Sequence, residues 1–300
     1  MSVCFISNKP SINKNSWILI GKVVNICGYP VSSGHPEYLE EIGIGHNGVF
    51  IDKNLWDKLV MIMFVVYHEQ YKYIYDRTNA ILSHMVVKVP KNNTKKLELE
   101  ILDVKLTLDM NEVRKNEQVK CTQSLNNRYI SKKNYYDCGD EAANWLYNSL
   151  KDVHARLGFR NPIDAKATLQ DTFNWLYPSV DYDEIKIQNP SNPPSCRLMS
   201  LESFNNVKEN MDSYINMTDF GPNIIIQTKT AYKEDGMEWF KIGKVILRTL
   251  RPPLKSDEDA TFHVPMEMRL QLLSLHCETY MAGIIQLGDK VYTLKNFNRK

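Results

Sequence analysis

Six cysteines and seven histidines are the side chains in this sequence best suited to nucleophilic, redox or metal chemistry. The cysteines stand at Cys4, Cys27, Cys121, Cys138, Cys196 and Cys277. They form no C-x-x-C pair, and no histidine lies at zinc-ligand spacing from one. The pattern fits free thiols in a reducing compartment. His35, His46, His68, His84, His154, His263 and His276 make no recognisable Ser/His/Asp or Cys/His signature. One thiol has a suggestive place. Cys138 opens the helical pattern of Asp137–Leu150, and a helix start can lower a thiol's pKa. Asp137, Asp140 and Glu141 stand beside it and oppose a thiolate, so a packed structural thiol is the expectation.

The elements that would position a site are mostly strands. Ile18–Ile26 is apolar and β-branched, and Gly28-Tyr29-Pro30 stops it. Val49–Val89 reads as several short strands, clearest at Leu59–Tyr67 and Lys72–Tyr75. After the polar turn Pro90–Lys96, Leu97–Leu108 alternates like a hairpin partner. Further on, Ile224–Gln227 and Lys244–Leu250 read as strands separated by a charged loop at Lys233–Gly236. Asp137–Leu150 is the best helix, with acidic residues at its positive end and Ala142, Trp145, Leu146 and Ser149 on one face. A second helix is expected over Ala165–Leu176. Ser200 is placed to cap a third, and a serine there can also bind an anion jointly with backbone N–H groups.

Charge narrows the function classes. Thirty-seven basic and 35 acidic residues leave a formal charge of +2, which makes no global case for nucleic acid or an anionic membrane. The mild basic excess of Lys120–Lys133 is flanked by acidic segments and reads as solvated surface. The amino terminus lacks an apolar signal core, and Leu59–Tyr67 is too short to span a bilayer. A soluble, cytoplasmic protein without a membrane-spanning segment is expected.

Three blocks carry a family resemblance. Phe220-Gly221-Pro222-Asn223-Ile224, the Glu234-Asp235 pair with Trp239, and Ile242-Gly243-Lys244-Val245 resemble the F-R-P-N-I, E-D, Trp and I-G-D-V pattern at the heart of the MOSC domain. That is the fold of molybdenum-cofactor sulfurase C-termini and of the mitochondrial amidoxime-reducing component. Asp137–Leu150 is similar to the family's C-G-x-x-A-A-x-W-L helix. Tyr29-Pro30-Val31-Ser32-Ser33 resembles its Y-P-V-K-S, and Leu287–Leu294 its closing V-G-D-P-V-Y strand. The resemblance implies a mixed α/β, mainly β protein. A barrel-like N-terminal domain over residues 17–110 would pack on a MOSC barrel domain over 111–300, behind a polar tail at 1–16.

The resemblance also implies a cofactor pocket, and the residues at its positions have changed. The family's phosphate-contacting Lys is Ser32, while Ser33 is kept. Gly221 replaces the Arg of F-R-P-N, and Asn223 is retained. Lys58 is the nearest match to an Arg facing the pterin or phosphate; it is a point charge without the planar fork. Ser200 falls in the family's L-S-E-A-S-L turn. The molybdenum-ligating Cys falls on Ser256 and its companion Cys on Pro253. A thiolate is a soft, polarizable ligand, and a serine hydroxyl does not ionise comparably at neutral pH. Each lost charge-assisted contact is worth about 1.5–3 kcal/mol. The expectation is therefore a catalytically inactive MOSC-fold binding or structural module, without cofactor and with another protein as partner. Ser32, Ser33, Lys58, Ser200, Asn223 and Ser256 would line its vestigial pocket. The alternatives are a molybdenum-cofactor-dependent reductase of N-hydroxylated compounds with Ser256 as ligand, and an anion- or nucleotide-binding pocket.

Overall fold

The computed structural model describes residues 17–45, 48–50, 64–75, 79–88, 96–125, 129–160, 195–211, 214–250, 270 and 273–294. Strands dominate, as the β-branched and alternating segments require. The mainly β, mixed α/β class expected from the sequence is the observed one.

Seven strands close into a barrel. They are β1 (Trp17–Gly28), β12 (Cys196–Ser200), β13 (Ile224–Thr228), β14 (Trp239–Ile242), β15 (Val245–Thr249), β16 (Ser274–Met281) and β18 (Lys290–Leu294). Their order is β13-β12-β16-β15-β14-β18-β1, and β1 returns to pair with β13. Every pairing is antiparallel except β12 with β13. The twelve-residue β1 serves two neighbours by bending. Its register slips between Leu19 and Gly21 against β18, and between Val23 and Asn25 against β13. Such irregularities add the coiling that closure needs. Gly21 sits at the seam, where an added Cβ would lie 1.9 Å from the Gln227 carbonyl oxygen.

The barrel interior is aliphatic. Ile20, Val23 and Ile26 meet Leu198, Ile224, Ile226, Phe240, Ile242, Leu247, Leu275 and Val291. A small sheet of β3 (Glu41–Gly45), β4 (Gly48–Phe50) and β17 (Gly283–Gln286) adds Ile42, Ile44, Val49 and Ile285 to the same core. The two-residue β2 (Glu37–Tyr38) extends the end of β1.

A second core lies between two further sheets. One is β5 (Phe64–His68), β11 (Ala155–Phe159), β10 (Tyr129–Asp137) and β9 (Gln118–Leu125), in that order. The other is β6 (Val86–Lys88), β7 (Lys96–Ile101) and β8 (Val104–Asp109), followed by the one-turn α1 (Met110–Val113). The alternation expected over Leu97–Leu108 turns out to hold a complete hairpin. Leu97, Leu99 and Ile101 face Leu106 and Leu108 across a turn with positive φ at Leu102 and Asp103. Helix α2 (Asp140–Leu150) lays Ala142, Trp145 and Leu146 onto this core, and the Trp145 indole N–H donates to the Val104 carbonyl at 3.1 Å.

The sequence places the start of α2 at Asp137, and here the structure differs. Asp137 ends β10, and Gly139, at φ +90, turns the chain so that helical geometry begins at Asp140. The Asp137 carboxylate accepts from the Gly139 N–H at 2.7 Å and from Arg156 at 2.7 and 2.6 Å. It is a buried anchor, outside the helical turn it was expected to charge.

Neither core is contiguous in sequence. β1 belongs with strands after residue 195, and β5 with strands after residue 117. A cut between 110 and 111 would part β1 from β13 and β5 from β11. The helix expected over Ala165–Leu176 lies outside the described residues.

Candidate functional site

The turn before β13 is where the chain crosses from peripheral structure into the barrel. A 3-10 turn, Met217–Phe220, is closed by the Asn216 N–H on the Asp219 carboxylate at 2.9 Å. Gly221 ends it in the left-handed region, φ 58, with its N–H on the Thr218 carbonyl. Glycine takes this conformation without steric cost, whereas a side chain with a Cβ is disfavoured there. The position at which the MOSC pattern has arginine is thus shaped here around glycine.

Asn223 is wholly buried and fully engaged. Its side-chain oxygen accepts the Arg197 N–H at 2.9 Å, and its amide nitrogen donates to the Cys27 carbonyl at 3.1 Å. Its backbone N–H donates to the Arg197 carbonyl, and its carbonyl accepts from the Cys27 N–H. One asparagine therefore ties the ends of β1, β12 and β13 together. Its amide serves the buried backbone.

Ser200 performs the expected capping. Its hydroxyl accepts the Ser203 N–H of α3 (Leu201–Glu209) at 3.4 Å and shares a 2.9 Å hydrogen bond with Thr228. Two carboxylates complete the surroundings. Glu202 accepts the Thr228 N–H at 2.9 Å, and the Ser203 hydroxyl donates to the buried Glu234 at 2.6 Å. Ser203 also accepts the Tyr232 N–H. An anion approaching this helix start meets two acidic side chains, and like charges there oppose it.

Ser32 and Ser33 are held by other neighbours. Val31 bridges to Phe64, the Ser32 N–H donates to the Phe64 carbonyl at 2.8 Å, and the Gly34 N–H closes a turn on the Val31 carbonyl. Ser33 takes φ 65 within that turn, and His35 is tied to Met85. These serines stand at the edge of the second core, whereas Ser200 and Asn223 sit at opposite ends of the β12–β13 ladder. Lys58 and Ser256, with Pro253, lie outside the described residues.

Sequence reasoning missed several charged groups that the fold brings inward. Arg197 donates to the Phe220 carbonyl at 2.9 Å, beside the glycine turn. Burial, with the Arg197 charge, pushes the His276 pKa well down, so that imidazole is neutral. On β15, Arg248 contacts Glu238 at 2.9 Å and the buried Glu278 at 3.6 Å, over the Trp239 ring. No spacing rule announces these pairs, because their partners are far apart in sequence. Cys138 is a packed thiol: burial and then the Asp137 charge raise its pKa, outweighing Arg156. Among the described residues no group of three His, Cys, Asp or Glu side chains could hold a metal ion, and no helix is long and apolar enough to cross a membrane.

No protein-family model matches the chain. Individual relatives do. It is 25% identical over 183 residues to the mitochondrial amidoxime reducing component 2 of Bos taurus, covering 53% of this chain and 52% of that one. The Homo sapiens protein of the same name is 26% identical over the same coverage, and that of Rattus norvegicus is 30% identical over 184 residues, 53% of each. Over that half, the chain is their homologue. It spans about half the length of these curated relatives. At the described positions of the MOSC pattern the chain has its own local arrangement. Glycine stands in a left-handed turn, the asparagine serves backbone groups, and the helix start is lined by carboxylates.

Proposed function

We propose that this chain is a catalytically inactive relative of the amidoxime-reducing components, a MOSC-type scaffold used as a binding or structural module for another protein. The observation that carries the reading is Asn223. It is a retained family residue, yet both ends of its amide are used to join three strands, and its neighbour is a left-handed glycine. The acidic network around Ser200, Ser203 and Glu234 supports the same conclusion. The reading includes a cytoplasmic location, although the relatives are mitochondrial by name. Cell fractionation distinguishes the two.

The deciding experiment is elemental analysis for molybdenum on protein produced in a host that makes the cofactor. An amidoxime-reducing relative prepared in parallel is the positive control. The reading expects substoichiometric metal and no reduction of an N-hydroxylated substrate. Near-stoichiometric molybdenum with such activity overturns it, and loss of both on Ser256→Ala would identify the replacement ligand.

A further inference from the structure

The barrel wall holds two cysteines directly opposite one another. In the antiparallel β12–β16 ladder, Cys196 is the register partner of Cys277. Both side chains belong to the barrel core, and the Cys277 thiol donates to the Leu275 carbonyl at 3.7 Å. The Ser195 N–H and hydroxyl both reach the Cys277 carbonyl, at 2.8 and 3.3 Å, which pins the start of β12 against β16. Cys27, Cys121 and Cys138 pack in three other hydrophobic clusters.

Directly opposed residues in an antiparallel pair have Cα atoms about 4.5–5.5 Å apart, inside the range of about 4.4–6.8 Å that a disulfide spans. Their Cβ atoms project to the same side of the sheet. The two sulfurs can therefore bond with little backbone movement. We propose that Cys196 and Cys277 are a reversible dithiol–disulfide pair that ties β12 to β16 when the chain meets a small oxidant such as glutathione disulfide.

The exchange balances in two steps. One cysteine, as thiolate, attacks a sulfur of glutathione disulfide, forming a mixed disulfide and releasing one glutathione thiolate. The second then attacks the protein sulfur of that mixed disulfide and releases the other glutathione. Two electrons and two protons pass from the cysteines to two glutathione molecules. The adjacent Cys196 thiol and burial hold the Cys277 thiol well above its ordinary pKa. Reaction within the closed barrel is therefore slow and proceeds through opening of the wall. The closed loop runs from 196 to 277 and contains the glycine turn and Asn223. Oxidation therefore locks the part of the barrel that carries Gly221 and Asn223.

The test is refolding from denaturant in glutathione buffers of graded ratio, which removes burial as a barrier to access. Acid quenching, alkylation under denaturing conditions and peptide mass mapping then follow. Alkylatable thiols should fall from six to four, with one linked species joining the peptides of Cys196 and Cys277. Melting temperature should rise and return on addition of dithiothreitol. Cys196→Ala and Cys277→Ala should each abolish the linked peptide, and Cys27→Ala should leave it intact. Six alkylatable thiols in the most oxidising buffer, or links spread evenly among other cysteines, would overturn the proposal.

Discussion

Arg156 offers the sharpest test of how the second core is held. Its guanidinium grips Asp137 with two hydrogen bonds of 2.7 and 2.6 Å, and also reaches Asp140 at 3.1 Å and Glu69 at 3.3 Å. Asp137 in turn accepts from the Tyr67 hydroxyl and the Gly139 N–H, so one carboxylate joins β5, β10, β11 and the start of α2. Burial alone would raise the Asp137 pKa. The Arg156 and Tyr67 hydrogen bonds outweigh it and hold the carboxyl below its ordinary value. Arg156→Met removes the cation and leaves a half-satisfied buried anion. Breaking a fully buried pair costs about 3–5 kcal/mol. The Arg156 and Asp137 side chains remain 18% and 12% exposed, so about 2–4 kcal/mol is expected. A double-mutant cycle with Asp137→Asn, read by urea unfolding, should return a coupling of about 1.5–3 kcal/mol. The sign with pH follows from the lowered folded-state pKa. The contribution is present above about pH 4 and is lost as pH falls through the folded value. The gap between wild type and Arg156→Met should therefore narrow in acid. A coupling below about 0.5 kcal/mol, or a gap independent of pH, would refute this account of the anchor.

Other outcomes follow from single contacts. Gly21→Ala should prevent closure of the β1–β13 seam, since the added carbon would lie 1.9 Å from the Gln227 oxygen; loss of cooperative unfolding checks it, and a wild-type-like melt contradicts it. Asn223→Ala leaves the Arg197 N–H and the Cys27 carbonyl without this partner, and should lower stability by about 2–4 kcal/mol in a denaturant titration. Ser200→Ala should cost only about 1 kcal/mol, the usual value of an N-cap, with any molybdenum content unchanged. Lys133 is pushed down to about 8 by burial, assisted by Arg160. A folded-state value below the unfolded one makes stability rise with pH from about 8 to about 10.4. Lys133→Met should accordingly match or exceed wild type in melting temperature at pH 7, with the difference closing by pH 10.

Much of the architecture is legible without coordinates because it is written in local periodicity. The alternation of Leu97, Leu99 and Ile101 dictates a one-faced strand, and the spacing of Ala142, Trp145 and Leu146 dictates a helix with one buried side. The three motif blocks pointed to relatives that the comparisons independently return. Ser200 as a cap is also a local matter, set by a neighbouring N–H, whereas Cys138 is a packed thiol chiefly through burial, with the Asp137 charge second.

Other features were decided by contacts between distant segments. That Asp137 is an anchor and not a helix-dipole charge depends on Arg156 and Tyr67, which lie 19 and 70 residues away. The hydrogen bonds of Asn223 to the Arg197 N–H and the Cys27 carbonyl, 26 and 196 residues away, are of the same kind. Likewise, no spacing rule pairs Cys196 with Cys277; strand register does. The sequence determined which segments form strands or a helix and which of their faces bury, because periodicity acts over a few residues. Tertiary structure decided what Asp137, Asn223 and Arg248 do, because each hydrogen bond or ion pair there is specified by a partner that the fold brings from elsewhere in the chain.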